Sequence, residues 1–331
     1  MTTDNVYQPT AYNSKHIPPQ RPRPEKTLAQ KLFSSGQSEL RWCQPTPTVC
    51  TRVETDCSPS EMREEAKEKP EAESFWNQEY LDMYKGNIWM HFFLVFAAAA
   101  KFTVLFLTPF FIFILFIGAL ITWGEFGWAD GVEMFMGYVK YAVIPCGLFW
   151  GFFELCNRTA WIPWPLSALF RIRKIFTLNR RTGMVTLYTR SGRVRYSYPF
   201  IEFDCVLSTA PGPQGQIKHA LLLAHRYSGS MHGVPLSSLI GGDEMVDEYR
   251  RLWQMIQCYM DVSQPLPDCL LLEESREKDP VTVEYDKKIK RDPRYWRDMS
   301  DGDYDRVIVS IRQQQRENPQ WGEALNIFEP A

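Results

Sequence analysis

Three of the five histidines in this 331-residue chain fall close together, at His219, His225 and His232, and imidazole is the side chain that binds metals or titrates near neutral pH. His219 and His225 on one strand would share a face but stand about 20 Å apart, at ~3.3 Å per residue, too far to ligate one ion. His225 and His232 are different. A two-residue turn at Ser228 and Gly229 would set them opposite each other across a hairpin, as a pair able to take a metal or sense pH. Two imidazoles on a solvated sheet face fit the same spacing, so no metal is assigned to the pair. Cys43, Cys50 and Cys57 recur every seven residues, but zinc sites favour closer cysteine pairs and no histidine accompanies these three.

None of the phosphate-loop, dinucleotide-binding, serine-hydrolase or HExxH motifs is present. The expectation is therefore a non-enzymatic protein with no catalytic residues and no cofactor. The net charge of −2 excludes a general nucleic-acid binder, so basic character is local. It is concentrated in RIRKIFTLNRRTGMVTLYTRSGRVRY, from Arg171 to Tyr196, with eight basic residues and no acidic one. Arg171, Arg173 and Lys174 follow an apolar segment and are candidates for contact with anionic lipid headgroups. Arg180, Arg181, Arg190, Arg193 and Arg195 are assigned to turns or to the solvent side of strands.

The elements that position these residues can be read from periodicity. Residues 1–60 are rich in proline and polar residues without a sustained pattern, and read as a disordered tail without a signal peptide. Residues 61–87 are charged; Phe75, Trp76, Tyr80 and Tyr84 recur near 3.6 residues and predict a short amphipathic helix. From Ile88 to Trp123 the one charged residue is Lys101. The transmembrane hairpin is placed at 88–156, with spans at 102–123 and 137–156 and an outer loop at 124–136. Residues 88–100 are interfacial or extend the first span. Lys101 snorkels to the headgroups, Pro109 is a candidate kink, and Trp161 and Trp164 fit an inner aromatic belt. The loop carries Glu125, Asp130 and Glu133 and no basic residue, whereas Arg158, Arg171, Arg173 and Lys174 follow the second span. The positive-inside rule then leaves both termini in the cytoplasm, where the eight cysteines stay mostly reduced.

Residues 157–272 alternate with the period of strands. Val185, Leu187 and Thr189 share one face; Val194, Tyr196 and Tyr198 share another, opposite Arg193, Arg195 and Ser197. Further strands are expected in FIEFDCVLST, HALLLAHRY and MHGVPLSSLI. A helix follows, with Asp243 as N-cap and Met245, Tyr249, Leu252, Ile256 and Tyr259 on its apolar face. The fold class is thus an α+β membrane protein, a two-helix transmembrane hairpin followed by a small antiparallel sheet capped by a helix, in the manner of pleckstrin-homology-like domains. Residues 273–331 form a charged helical extension, with Val307, Ile308 and Ile311 on one helix face and Trp321, Leu325, Ile327 and Phe328 as anchors.

The apolar hairpin, the stretch WIPWPLSALFRIRKIFTLNRRTGMVTLY and the later strand–helix segment resemble a bacterial membrane-protein family with a domain of unknown function. Its members are often encoded near type VI secretion or polymorphic-toxin genes. The resemblance covers about residues 80–270. It implies an immunity or accessory protein of the bacterial inner membrane that binds a cognate toxin or effector, with membrane lipids as its other partner. The alternative is a membrane-anchored regulatory or scaffolding module that binds lipid headgroups or a protein.

Overall fold

The computed structural model describes residues 7–25, 36–46, 49–54, 58–68, 75–86, 88–121, 128–159, 163, 172–211, 216–228, 233–241 and 245–329. The chain divides into two compact units, one formed by Met1–Tyr84 with Lys174–Ala331 and the other by Lys85–Arg173. The architecture is mixed α+β, with two sheets of antiparallel strands in the first unit and two long apolar helices in the second.

Turn chemistry and period-2 alternation build the first sheet. In β4 (Met184–Tyr188), Val185 and Leu187 point into the core, while Thr186 on the other face meets Ser197 of β5 (Val194–Pro199), Oγ to Oγ, at 2.8 Å. The turn between β3 (Arg173–Asn179) and β4 needs a left-handed residue and has one in Gly183, φ 68°. The strand order is β2-β3-β4-β5, with β2 at Tyr80–Lys85. The second sheet runs β1-β6-β7-β8, from Gln37–Leu40, Phe203–Pro211, Ile217–His225 and Val234–Pro235. Leu221 and Leu223 of β7 and Cys205 and Leu207 of β6 are buried at every second position.

Three expectations are corrected here. First, much of the expected tail is folded. Gln37–Leu40 pairs with β6, and Tyr12, Trp42 and Cys50 are core residues. Second, a helix does form at Pro59–Glu68, α1, but Tyr80 and Tyr84 lie in strand β2. The aromatic spacing fitted a helix, and pairing with β3 decided otherwise. Third, the described residues of MHGVPLSSLI, from Gly233 onward, form the two-residue strand Val234–Pro235 and then a 3-10 turn at Leu236–Leu239 in place of one long strand.

The long amphipathic helix is observed at Val246–Met260; its N-cap residue is Met245, and Asp243 lies outside the described residues. Tyr249, Leu252, Ile256 and Tyr259 are buried as the pattern requires, whereas Met245 is exposed. The opposite, polar face is buried too, because the N-terminal segment covers it. Trp42 packs on Trp253 with ring centroids 5.1 Å apart, the Cys43 amide donates to Gln257 Oε1 at 2.9 Å, and Trp253 Nε1 donates to the Arg41 carbonyl at 2.9 Å. On this face Arg251 donates to Glu248 at 2.8 Å and to the Gln315 carbonyl at 3.0 Å, so its charge is paired.

The C-terminal segment contains short helices at Glu273–Arg276 and Pro280–Ile289 and a longer one at Asp301–Glu317. Asp279 caps the second by accepting from Thr282 N at 3.0 Å, and Ser300 caps the third by accepting from Asp303 N at 3.2 Å. Ile308 is buried with Leu270, Trp296 and Tyr304, and Val307 and Ile311 pack against them. Of the expected anchors, Ile327 is buried and Leu325 and Phe328 pack on the main core.

In the second unit, Ile88–Phe102 continues through a π-helical turn, Thr103–Leu107, into Thr108–Ile121. The return path is Trp128–Tyr138, a second π-turn at Val139–Val143, and Ile144–Thr159. Residues 88–100 therefore extend the first helix. Each π-turn ends two residues before a proline, Pro109 or Pro145. A proline ring clashes with the carbonyl four residues back, and a wider i→i−5 turn relieves it. The amides of Thr108 and Ile144 accordingly donate to the carbonyls of Thr103 and Val139. The helices pack through Phe93 against Phe149 and Phe153, and through Tyr138 stacked on Phe111 at 4.4 Å.

Candidate functional site

Of the residues expected at a membrane interface, Lys101 is exposed on the first long helix, and Arg173 is exposed at the first position of β3. Trp161, Trp164 and Arg171 lie outside the described residues. Lys174 turns toward its own domain. Its Nζ lies 2.5 Å from Asp82 Oδ2, and the rings of Tyr80, Tyr84 and Tyr188 surround the ammonium at 5.9, 5.4 and 5.7 Å. Burial pulls the Lys174 pKa down, but the hydrogen bond and charge of Asp82 outweigh it and hold it above the ordinary lysine range. Asp82 is 5% exposed, and its second oxygen accepts from Thr177 Oγ1 at 2.5 Å.

Arg180 departs further from the expected solvent-facing role. It is fully buried, and its guanidinium donates to the carbonyls of Cys258 and Tyr259, at the end of the helix Val246–Met260, and to that of Gln264 in the turn beyond it. Its Nε lies 3.4 Å from Asp279 Oδ1, and Tyr7 donates to the same carboxylate while its ring faces the guanidinium. The next residue, Arg181, is half-exposed beside Glu79.

His225 is buried on β7, not solvated. It stacks on Tyr198 at 3.8 Å, meets the Phe203 ring edge-on, and its Nε2 is 3.0 Å from Glu202 Oε2. Its neighbour Arg226 holds Asp204 through Nε and Nη2 at 2.9 and 2.7 Å, and its guanidinium lies over the Phe328 ring. His219 bonds Thr209 through Nδ1 at 3.0 Å. His232 lies outside the described residues, so the proposed cross-strand pair has one placed member.

Glu202 also lines a cleft of about 730 Å³ between the N-terminal segment and the sheets. Lys15, His16 and Arg21 add basic groups, and Tyr12 and Tyr227 supply rings. Buried Tyr12 Oη has no hydrogen-bond partner among the described residues, and burial with nearby Asp261 pushes its pKa far up, so it stays a neutral phenol. Polar and aromatic side chains thus converge on one cleft. Cys50 and Cys258 are poor nucleophiles, since burial pushes each thiol up to about 12. Among the described residues no group of three or more histidine, cysteine or acidic side chains is placed to hold a metal.

Periodicity missed both clusters. Tyr80, Asp82 and Tyr84 alternate as strand residues do, but the wider aromatic spacing favoured a helix. The cleft depends on a segment whose composition argued against folding.

These features define a class: an α+β domain whose chain is interrupted between neighbouring strands β2 and β3 by two long apolar helices. No known protein family, curated protein or solved structure matches the chain.

Proposed function

We propose that the protein is a membrane-anchored binding protein: the helical hairpin crosses a bilayer twice, and the α+β domain captures a partner. One observation carries this reading, the apolar surface of the hairpin. Phe96, Phe106, Phe116 and Ile121 are 60–77% exposed, and further large apolar side chains are exposed along both helices. Each side chain of this kind gains about 1.5–3 kcal/mol on leaving water, so a helix apolar on all sides belongs in hydrocarbon or a core. The apolar helical stretches are 30 residues, Trp89–Gly118, and 29 residues, Gly131–Thr159. At 1.5 Å per residue each reaches about 45 Å, more than the ~30 Å of a hydrocarbon core.

The acidic connection between the two helices, expected as a loop at 124–136 but helical from Trp128 onward, is assigned to the outside and both termini to the cytoplasm, on the positive-inside asymmetry, with the bacterial inner membrane as the location. The two sheets and the helix closing them are read as a pleckstrin-homology-like arrangement. That architecture suits binding and assigns no partner by itself. The family resemblance supplies the partner class, a secreted toxin or effector that the protein neutralises at that membrane.

Fractionation of expressing cells, followed by alkaline carbonate extraction, tests the anchor. The protein is expected in the carbonate-resistant membrane pellet and soluble only with detergent; recovery in the detergent-free supernatant would overturn the reading. Deletion of the gene is expected to sensitise cells to an effector encoded beside it, and unchanged survival would remove the immunity role while leaving the anchor intact.

A further inference from the structure

Lys174 occupies a site built for a cation. Tyr80, Asp82 and Tyr84 stand at alternate positions of β2, and Tyr188 closes the site from β4. The three ring centroids lie 5.4–5.9 Å from Nζ, inside the ~6 Å range in which an aromatic face attracts a cation. Asp82 adds a buried anion that is already oriented: Thr177 Oγ1 bonds one carboxylate oxygen at 2.5 Å, and Tyr84 Oη reaches the other at 3.3 Å. Thr177 Oγ1 also lies 3.5 Å from Tyr188 Oη, linking a ring to the carboxylate that it flanks. A lone surface ion pair needs none of this. Three rings and a fixed carboxylate converging on one ammonium are the chemistry that recognises substituted ammonium ions.

The occupant is tethered only by a flexible four-carbon stem, and the Lys174 side chain keeps 30% of its surface in solvent. Departure of the side chain leaves the rings and carboxylate in place, since they are held by β2, β3 and β4. We propose that this cage is an organic-ammonium site in which Lys174 is a built-in competitor, and that an aminoalkyl or trimethylammonium group takes its place. Two sources carry such a group, a phospholipid headgroup and a free small amine.

The test is chemical rescue in the full-length, detergent-solubilised protein. Lys174→Ala and Lys174→Gln empty the cage, and their Tm is expected to fall. Ethylammonium or tetramethylammonium chloride at 50 mM should then raise the Tm of either variant by about 3 °C or more relative to sodium chloride at the same ionic strength, as binding to the native state requires. Wild type, with its cage filled, should shift by less than a third as much. Adding Asp82→Asn or Tyr188→Leu to Lys174→Gln should abolish the rescue.

In nanodiscs, a higher Tm of Lys174→Gln in phosphatidylethanolamine than in phosphatidylglycerol identifies the headgroup as source. Rescue by the soluble amines without this difference identifies a free amine. Failure of both amines to rescue Lys174→Gln, or rescue of wild type to the same extent, would overturn the proposal. Only the nanodisc arm rests on the membrane reading, so failure of the anchor and failure of the cage are told apart by the detergent experiment.

Discussion

Replacing Arg180 with alanine should be among the most damaging single changes in the chain, whereas the same change at Arg181 should be nearly silent. Arg180 is fully buried and faces Asp279, itself 1% exposed. Its removal leaves that carboxylate without its guanidinium, and frees the carbonyls of Cys258 and Tyr259 at a helix end and of Gln264 in the turn that follows. Breaking a buried pair by deleting one partner costs about 3–5 kcal/mol. At ~2–4 °C per kcal/mol for a domain of this size, the Tm should fall by about 6–20 °C. Arg181 pairs with Glu79 at 3.3 Å, both partners nearly half-exposed, a contact worth about 0–1 kcal/mol. Thermal unfolding of the detergent-solubilised protein, followed by far-ultraviolet circular dichroism, measures both. Arg180→Met with Asp279→Asn removes both charges and should lose less than Arg180→Ala alone. A Tm for Arg180→Ala within 2 °C of wild type, or equal to that of Arg181→Ala, would refute the reasoning.

Trp42→Ala should cost about 3–5 kcal/mol by emptying the space against Tyr12, Phe200 and Trp253, read as a lower Tm and a red-shifted tryptophan emission; an unchanged Tm would mean that the N-terminal segment is not part of the core. Gly183→Val combines a left-handed φ of 68° with a Cβ 2.3 Å from the Thr10 carbonyl oxygen and 2.7 Å from Ala11 Cα. The segment carrying Thr10 must lift away, so trypsin should cut after Lys15 faster than in wild type, as mass spectrometry of the fragments would show; Arg21 and Arg23 precede prolines and stay uncut. Burial pushes the Asp268 carboxyl up, but the hydrogen bond and charge of Arg291, with Arg276 and Trp296, outweigh it and hold it below the ordinary range. That stabilisation is complete above the unfolded value, near pH 4, and is lost as pH falls through the lower folded value. Asp268→Asn should therefore flatten the decline of Tm below about pH 4, and an unchanged slope would count against the assignment.

The outline of the fold was legible wherever local pattern and final environment agree. Val185 and Leu187 alternate because one face of β4 is buried, and Tyr249, Leu252, Ile256 and Tyr259 follow the helical period because one face of their helix meets the sheets. The tract after Ile88 announced long apolar helices by composition alone. Pro109 marked a distortion whose form, a wider turn before the ring, follows from the clash of the ring with the carbonyl four residues back.

Tertiary structure decided the rest, because the same local pattern fits more than one environment. Phe75, Trp76, Tyr80 and Tyr84 fit a helix, while Tyr80, Asp82 and Tyr84 fit a strand, and only the partner strand β3, distant in sequence, settled it. Trp42 sits in proline-rich sequence with no periodicity, and it is buried because the helix at Val246–Met260 offers a second face to cover. Arg180 and Arg181 are identical letters in one turn, yet one faces helix-end carbonyls and the other solvent. Lys174 was legible as a basic residue at the end of the hairpin. Its partner Asp82 stands on the other side of the two long helices in sequence, and only the pairing of β2 with β3 brings carboxylate, rings and ammonium together.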